Sequence, residues 1–133
     1  MERESRGSGG KIRSRDEVYE IQGAVFTVYR EMGCGFLEAV YQECMERELG
    51  RRGMGYRSQP ALQLHYRGEP LEQVYRPDFI CEGDVILELK AVRQIGEEHK
   101  AQVLNYMKAA GMRVGLLANF GAYPKATVQR FVL

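Results

Sequence analysis

Asp78, Glu88 and Lys90 are the residues of this sequence whose types and spacing best suit chemistry. Glu88 and Lys90 belong to the run from Val85 to Lys90, which is short and apolar enough to be a buried strand. Side chains alternate along a strand, so Glu88 and Lys90 share one face while residues 85, 87 and 89 share the other. Charges beside apolar rows are costly unless they are paired or bind a metal ion. This face of the strand is therefore a candidate site.

A tight turn predicts that Asp78 lies opposite Glu88. Glu82-Gly83-Asp84 is typical of a hairpin loop between a strand over residues 74–81 and the strand over residues 85–90. Counting outward from the loop pairs residue 78 with residue 88. Two carboxylates about 5 Å apart repel each other unless a cation is present, and Mg²⁺ binds such carboxylates together with water. With Lys90 beside them to hold a water or a phosphate oxygen, the layout suits metal-assisted phosphodiester hydrolysis.

The competing interpretation of these charges is a surface salt bridge between Lys90 and either carboxylate, on a solvated sheet face. Glu-x-Lys is a frequent tripeptide, and charged residues are mostly solvated surface. Because Asp78 is expected opposite Glu88 in the hairpin, the sequence favours neither the metal site nor the surface salt bridge over the other.

Two helical segments carry further candidates, each with a structural alternative. Glu38 falls in the first turn of a helix that begins near Phe36, where the helix dipole favours an anion. Tyr41 follows it on the same stripe; the alternative is N-terminal capping by Glu38 with Tyr41 in the core. In the later helix, His99, Gln102 and Tyr106 form one polar stripe. The alternative is that this stripe is only the solvated face of an amphipathic helix.

Length and composition favour one ordinary globular domain in a reducing compartment. The chain has 133 residues, 44% of them hydrophobic and 28% charged, which suits a single domain. No apolar run approaches the roughly 18 residues of a membrane span, and no signal-peptide pattern follows Met1. Three cysteines and two histidines fit neither a disulfide framework nor a zinc site. We expect a cytoplasmic protein that does not associate with membranes.

The charge distribution argues against binding nucleic acid by bulk charge alone. Residues 1–15 hold five of the 19 basic and two of the 18 acidic residues, so residues 16–133 hold 14 basic and 16 acidic ones. A slightly acidic body is a poor electrostatic match for a polyanion, unless metal ions neutralise a carboxylate cluster. Residues 1–15, rich in Gly, Ser and Arg, are predicted to be a flexible tail.

Hydrophobic periodicity predicts the order α, α, β, β, β, α, β, β after that tail. The first helix starts at Asp16, with Ser14 or Asp16 as its cap. Strands are predicted over residues 62–66, 74–81 and 85–90, a helix over 97–110, and strands over 114–120 and 127–133. A meander followed by a crossover helix implies a mixed sheet covered by helices.

The motifs taken together resemble the GxxExxY protein family, which is placed in the PD-(D/E)XK nuclease superfamily. The resemblance spans residues 16–133, and the Gln102 and Tyr106 spacing is similar to an element of the RecB nuclease domain. The motifs of this sequence that carry the resemblance are Gly35-x-x-Glu38-x-x-Tyr41, Asp78, Glu88-x-Lys90, His99-x-x-Gln102-x-x-x-Tyr106 and the run Val114-Gly-Leu-Leu-Ala-Asn-Phe120.

This resemblance implies an α/β, restriction-endonuclease-like mixed β-sheet with an αβββαβ core flanked by helices, formed as a single domain over residues 16–133. It also implies a role for each matching residue. Mg²⁺ or Mn²⁺ would be bound by Asp78 and Glu88, with the Leu89 carbonyl as a further ligand and Glu38 binding directly or through water. Lys90 would assist the attacking water. Gln102 and Tyr106 would position Lys90, the metal shell or the nucleic-acid backbone, and Tyr41 and His99 would contact substrate.

The expected function is therefore metal-dependent hydrolysis of nucleic-acid phosphodiester bonds, with DNA favoured over RNA. The alternative is a nuclease-like module that binds nucleic acid or protein without turnover, which the acidic body and small size would suit. The edge strand over residues 127–133 could extend a sheet into a homodimer.

Overall fold

The computed structural model describes residues 10–133, and their side chains from Asp16 onward. Among these residues no helix is long and apolar enough to cross a bilayer. The helices are α1 (Gly10–Met32), α2 (Glu38–Arg51) and α3 (Glu97–Ala110); the strands are β1 (Tyr56–Ser58), β2 (Leu62–Tyr66), β3 (Glu69–Tyr75), β4 (Phe79–Cys81), β5 (Val85–Lys90), β6 (Val114–Asn119) and β7 (Thr127–Val132).

A five-stranded mixed sheet forms the centre of the molecule, in the order β1-β4-β5-β6-β7. The β5–β6 pair is parallel, and the other neighbours are antiparallel. Helix α3 makes the crossover that a parallel pair requires. Strands β2 and β3 form a separate hairpin. The predicted mixed α/β fold with a helix-covered sheet is confirmed.

Strand β5 separates the two halves of the core. Val85, Leu87 and Leu89 face the layer made by α1 and α2. Ile86 faces the opposite layer, where Val103 of α3 and the β2–β3 hairpin pack. The alternation inferred from the sequence is therefore correct, and it places Glu88 and Lys90 on the α3 side.

Helix α1 begins earlier than the sequence suggested. It starts at Gly10 rather than Asp16, so the predicted caps Ser14 and Asp16 lie inside the helix. No Gly or Pro interrupts residues 11–15, and their helix propensities are adequate. Of the predicted flexible tail, residues 1–9 lie outside the described part of the chain.

The predicted single strand over residues 74–81 is wrong, because two strands meet there with a break between them. β3 ends at Tyr75 and pairs only with β2, whereas β4 begins at Phe79 in the central sheet. Pro77 causes the break, since it has no N–H for a ladder and also restricts Arg76. The hairpin register is nevertheless as predicted: Cys81 lies opposite Val85.

Candidate active site

Asp78 and Glu88 come together where β5 runs past the end of β4. The β4–β5 ladder stops at the pair of Phe79 and Leu87, and the Asp78 side chain continues it. The Leu89 N–H donates to Asp78 Oδ2 at 2.7 Å, and the Asp78 N–H donates to Glu88 Oε1 at 3.1 Å. These two bonds fix both carboxylates beside each other, as the hairpin count predicted.

Burial and the neighbouring acid raise the pKa of Glu88. Loss of hydration is the larger cause and the Asp78 charge adds to it, while hydrogen bonds from Tyr75 and the Asp78 backbone act in the opposite direction; the result is a pKa of about 7. Two adjacent carboxylates repel each other when both are ionised, and a bound cation would offset that repulsion. Their hard oxygen atoms match the ligands that Mg²⁺ prefers.

The Leu89 carbonyl is oriented toward the same place. In an extended strand the N–H and C=O of one residue point to the same side, and the Leu89 N–H points at Asp78. The donor set that the fold presents is therefore two carboxylates and one backbone carbonyl. Mg²⁺ commonly binds through one or two carboxylates and keeps several waters, so these residues fit that ion.

Tyr75 is a site residue that the sequence analysis missed. Its phenol donates a hydrogen bond to Glu88 Oε2, and its ring stacks on Tyr106 with the centroids 4.1 Å apart. Burial and the Glu88 charge raise the pKa of Tyr75 well above its ordinary value, so the phenol remains a donor. In an unbroken strand Tyr75 and Asp78 would face opposite sides; the break at Pro77 brings them to the same site.

Gln42 on α2 is the second residue that was missed. Its amide donates to the Asp78 backbone carbonyl at 3.1 Å and to Ser58 Oγ at 3.0 Å. Ser58 in turn donates to Glu46 at 2.8 Å. This chain ties α2 and β1 to the backbone of a proposed metal ligand. In the sequence Gln42 had no distinguishing signal, since an amide on a helix is usually solvated.

Lys90 lies at the end of β5 on the same face as Glu88, and it is half-buried. Among the described residues its ammonium group forms no hydrogen bond or ion pair. The salt bridge proposed as the alternative role of this lysine is therefore not formed with any described residue. A cation that is held near two carboxylates and is not neutralised by them is available to a phosphate or a water.

Glu38 stands apart from the carboxylate pair. Across the residues with described side chains, no group of three or more His, Cys, Asp or Glu side chains is arranged to hold a metal ion. Glu38 is exposed at the first turn of α2 and caps nothing with its side chain. It lies one helical turn before Gln42 and so on the same face of α2. Metal binding by Glu38, directly or through water, stays a prediction.

Tyr41 does not have the position expected of a substrate-binding residue. Its side chain is fully buried, and its ring stacks on Phe120 with the centroids 4.4 Å apart. The hydroxyl donates to the Gly33 carbonyl at 2.5 Å and accepts from the Phe36 N–H at 3.3 Å. The core interpretation is the correct one: Tyr41 fixes the loop that leads into α2.

The polar stripe of α3 has mixed roles. His99 Nδ1 accepts the Gly96 N–H at 2.9 Å, which caps the start of the helix. Tyr106 reaches the site through its stacking on Tyr75. Gln102 is exposed on the turn between them. Substrate contacts by His99, Gln102 and Tyr106 stay predictions.

Asn119 joins the two loops that follow β5 and β6. It is buried, and its Oδ1 accepts the N–H groups of Val92 and Gly121, each at 3.0 Å. A Cβ on Gly121 would lie 2.3 Å from the Val92 carbonyl oxygen, so only glycine allows this approach. The segment that leaves the site after Lys90 is thereby fixed.

Comparison with known proteins gives a family match for the chain. A family model described as the PD-(D/E)XK nuclease superfamily matches residues 15–131. No curated protein sequence matches the chain. Among solved structures, the crystal structure of SSO0001 is similar, with a TM-score of 0.55, 16% identity, and coverage of 71% of this chain and 49% of that one.

An alkaline exonuclease (LHK-Exo) from Laribacter hongkongensis is also similar, with a TM-score of 0.51, 10% identity, and coverage of 71% of this chain and 55% of that one. The chain thus spans about half the length of each. At these identities the likeness concerns the fold. The family match covers almost the whole chain, and therefore the chain belongs to the PD-(D/E)XK nuclease superfamily.

Proposed function

We propose that this protein is a divalent-metal-dependent nuclease that hydrolyses phosphodiester bonds. The observation that carries the proposal is the pair of Asp78 and Glu88 beside an unneutralised Lys90. The Glu88 carboxylate accepts the Asp78 N–H, and the Asp78 carboxylate accepts the Leu89 N–H. Membership of a nuclease superfamily supports it, as does the fold that the chain shares with an alkaline exonuclease.

Asp78, Glu88 and the Leu89 carbonyl would hold Mg²⁺ or Mn²⁺. The ion when bound would polarise a phosphoryl oxygen and lower the pKa of a bound water. Glu38, exposed on the same face of α2 as Gln42, would orient water in this shell. Gln42 and Tyr75 are positioning residues, because each holds a carboxylate-bearing residue rather than the substrate.

Lys90 would act on the reacting groups themselves. Its ammonium group donates up to three hydrogen bonds, which allows it to orient the attacking water and to stabilise negative charge that develops on the phosphate. Gln102 and Tyr106 would line the approach of the nucleic acid from α3. DNA is the substrate we expect, and pairing of two copies through β7 is consistent with its place at the sheet edge.

The test is a cleavage assay on single- and double-stranded DNA and RNA, with Mg²⁺, with Mn²⁺ and with EDTA. Lys90→Ala is the diagnostic variant, and Lys108→Ala, which removes an exposed lysine of α3, is its control. Metal-dependent cleavage that only Lys90→Ala abolishes is expected. Cleavage that survives Lys90→Ala or EDTA would refute the proposal. Absence of cleavage by a protein that binds the metal would favour a binding module instead.

A further inference from the structure

A groove with aromatic and cationic walls is lined by α1, the loop before α2, the segment after β5 and the loop after β6. It consists of two adjoining depressions that share Tyr123, and we call it the Tyr123 groove. The near part is lined by Phe36 and Arg93, and the far part by Phe26, Arg30 and Lys125. The roles proposed for the metal ligands and Lys90 do not account for these side chains.

The near part of the groove adjoins the catalytic residues through the chain itself. Phe36 lies two residues before Glu38, and Arg93 lies three residues after Lys90. The near part of the groove is therefore lined by residues adjacent in sequence to the segments that carry Glu38 and Lys90.

The aromatic side chains that line the groove are exposed to solvent, although packing in the core is the usual role of such rings. Tyr123 is 83% exposed, and Phe36 and Phe26 are 44% and 39% exposed. Exposed rings beside a site for a polyanion are typical stacking platforms, since every base has a π-face that can rest on an aromatic side chain. Paired bases in a duplex are already stacked and are not free to do so.

The charges in the groove are opposite to those of the body. Residues 16–133 carry an excess of acidic residues, yet each charged residue that lines the groove, Arg30, Arg93 or Lys125, is a cation. Within the described residues none of the three forms an ion pair or a side-chain hydrogen bond. Unneutralised cations beside exposed rings complement phosphates that alternate with bases.

The walls of the groove are held in place. The Tyr29 hydroxyl donates to the Ala122 carbonyl at 2.8 Å, which anchors the loop that carries Tyr123 to α1. Tyr41 holds the loop before α2, and Asn119 holds Gly121. A groove that is formed before binding loses little conformational entropy when a ligand enters it.

We propose that the Tyr123 groove binds single-stranded nucleic acid, with bases stacked on Tyr123 and Phe36 and phosphates bound by Arg93, Arg30 and Lys125. The proposal rests on the proposed function and deepens it by assigning the strandedness of the substrate. The bulk acidity of the body does not oppose it, because the complementary charge is local.

Binding is measured by fluorescence anisotropy with a labelled 20-nucleotide thymidine strand and with a blunt 20-base-pair duplex, in EDTA so that no cleavage occurs. We expect the single strand to bind at least tenfold more tightly than the duplex. Tyr123→Ala should weaken single-strand binding by about tenfold, and Tyr123→Phe should restore it, since stacking needs only the ring. Tyr66→Ala, which removes an exposed ring of β2, is the control.

The double variant Arg30→Ala/Lys125→Ala should instead reduce the salt dependence, lowering the slope of log K against log salt by about 0.7 for each phosphate that is no longer bound. Tyr123→Ala should leave that slope unchanged. Equal effects of Tyr123→Ala and Tyr66→Ala, equal affinity for the duplex, or no binding of the single strand would each overturn the proposal.

Cleavage by the wild-type protein with Mg²⁺ separates this proposal from the proposed function. Cleavage together with unchanged binding by Tyr123→Ala would refute the groove alone. Weakened single-strand binding by Tyr123→Ala in a protein that never cleaves would support the groove and refute the nuclease.

Discussion

The phenol of Tyr75 donates a hydrogen bond to Glu88, the carboxylate that faces Asp78. Because the phenol donates to the carboxylate, this bond stabilises the ionised form of Glu88. It lowers the pKa of that carboxyl, whereas burial and the charge of Asp78 raise it. Tyr75 is fixed in turn by its stacking on Tyr106. Ring packing on α3 is thus linked to the charge state of a proposed metal ligand.

Tyr75→Phe should shift the pH dependence of activity. The variant keeps the stacked ring but loses the donor, so the pKa of Glu88 should rise further and the acidic limb of the pH–rate profile should move to higher pH. At neutral pH we expect about a tenfold loss of rate, the scale of a hydrogen bond to a charged group. A profile that coincides with the wild type would contradict the positioning role.

Glu88→Gln should change how the metal-free stability depends on pH. The pKa of Glu88 lies at about 7 in the folded protein, above its ordinary 4.5. The folded form therefore holds a proton that the unfolded form has released, and the corresponding stability is present below about pH 4.5 and lost as the pH rises to 7. Relative to Glu88→Gln, the wild type should lose up to roughly 3 kcal/mol over this range.

Urea unfolding of both proteins in EDTA, at pH 5 and pH 8, measures that difference. A difference between the two proteins that stays constant with pH would show that Glu88 titrates normally.

Gln42→Ala should reduce cleavage without unfolding the protein. The amide holds the Asp78 backbone carbonyl, and a ligand displaced by a fraction of an ångström costs rate rather than fold. We expect a rate about ten times lower and a melting temperature within a few degrees of the wild type. Gln73→Ala, at an exposed position of β3, is the control; equal rates for the two variants would refute the role of Gln42.

Asn119→Ala should destabilise the fold itself. It leaves the N–H groups of Val92 and Gly121 without their acceptor, and each unsatisfied buried donor costs about 1–3 kcal/mol. We expect a loss of about 2–4 kcal/mol in urea unfolding. Asn105→Ala, at an exposed position of α3, should change little. A variant as stable as the wild type would show that water replaces the amide.

Regular periodicity in the sequence was sufficient to predict β5 and α3, two of the elements that build the site. The bounds of β5 and α3, the hairpin register and the two faces of β5 all follow from alternation, helical spacing and a Gly-containing loop. The adjacent placement of Asp78 and Glu88 follows from the register alone. The salt-bridge alternative for Lys90 is excluded only by the structure, in which its ammonium group forms no ion pair with a described residue.

Tertiary contacts explain what the sequence did not reveal. Pro77 breaks the strand and turns Tyr75 toward Glu88, which local alternation cannot foresee. Gln42 acts through a contact to a backbone 36 residues away. Tyr41 carries a motif position yet is buried, because its ring packs on Phe120; motif spacing cannot distinguish a residue that shapes a loop from one that binds substrate.

Whether Asp78 holds a catalytic metal ion is decided by comparing Asp78→Asn with the wild type for Mn²⁺ binding by calorimetry and for cleavage with Mg²⁺. Asparagine keeps an oxygen that can accept the Leu89 N–H, so the fold should be retained. We predict that the wild type binds the ion and cleaves, and that Asp78→Asn loses both with an unchanged melting temperature. Cleavage by Asp78→Asn at the wild-type rate would contradict a metal-dependent mechanism at this site.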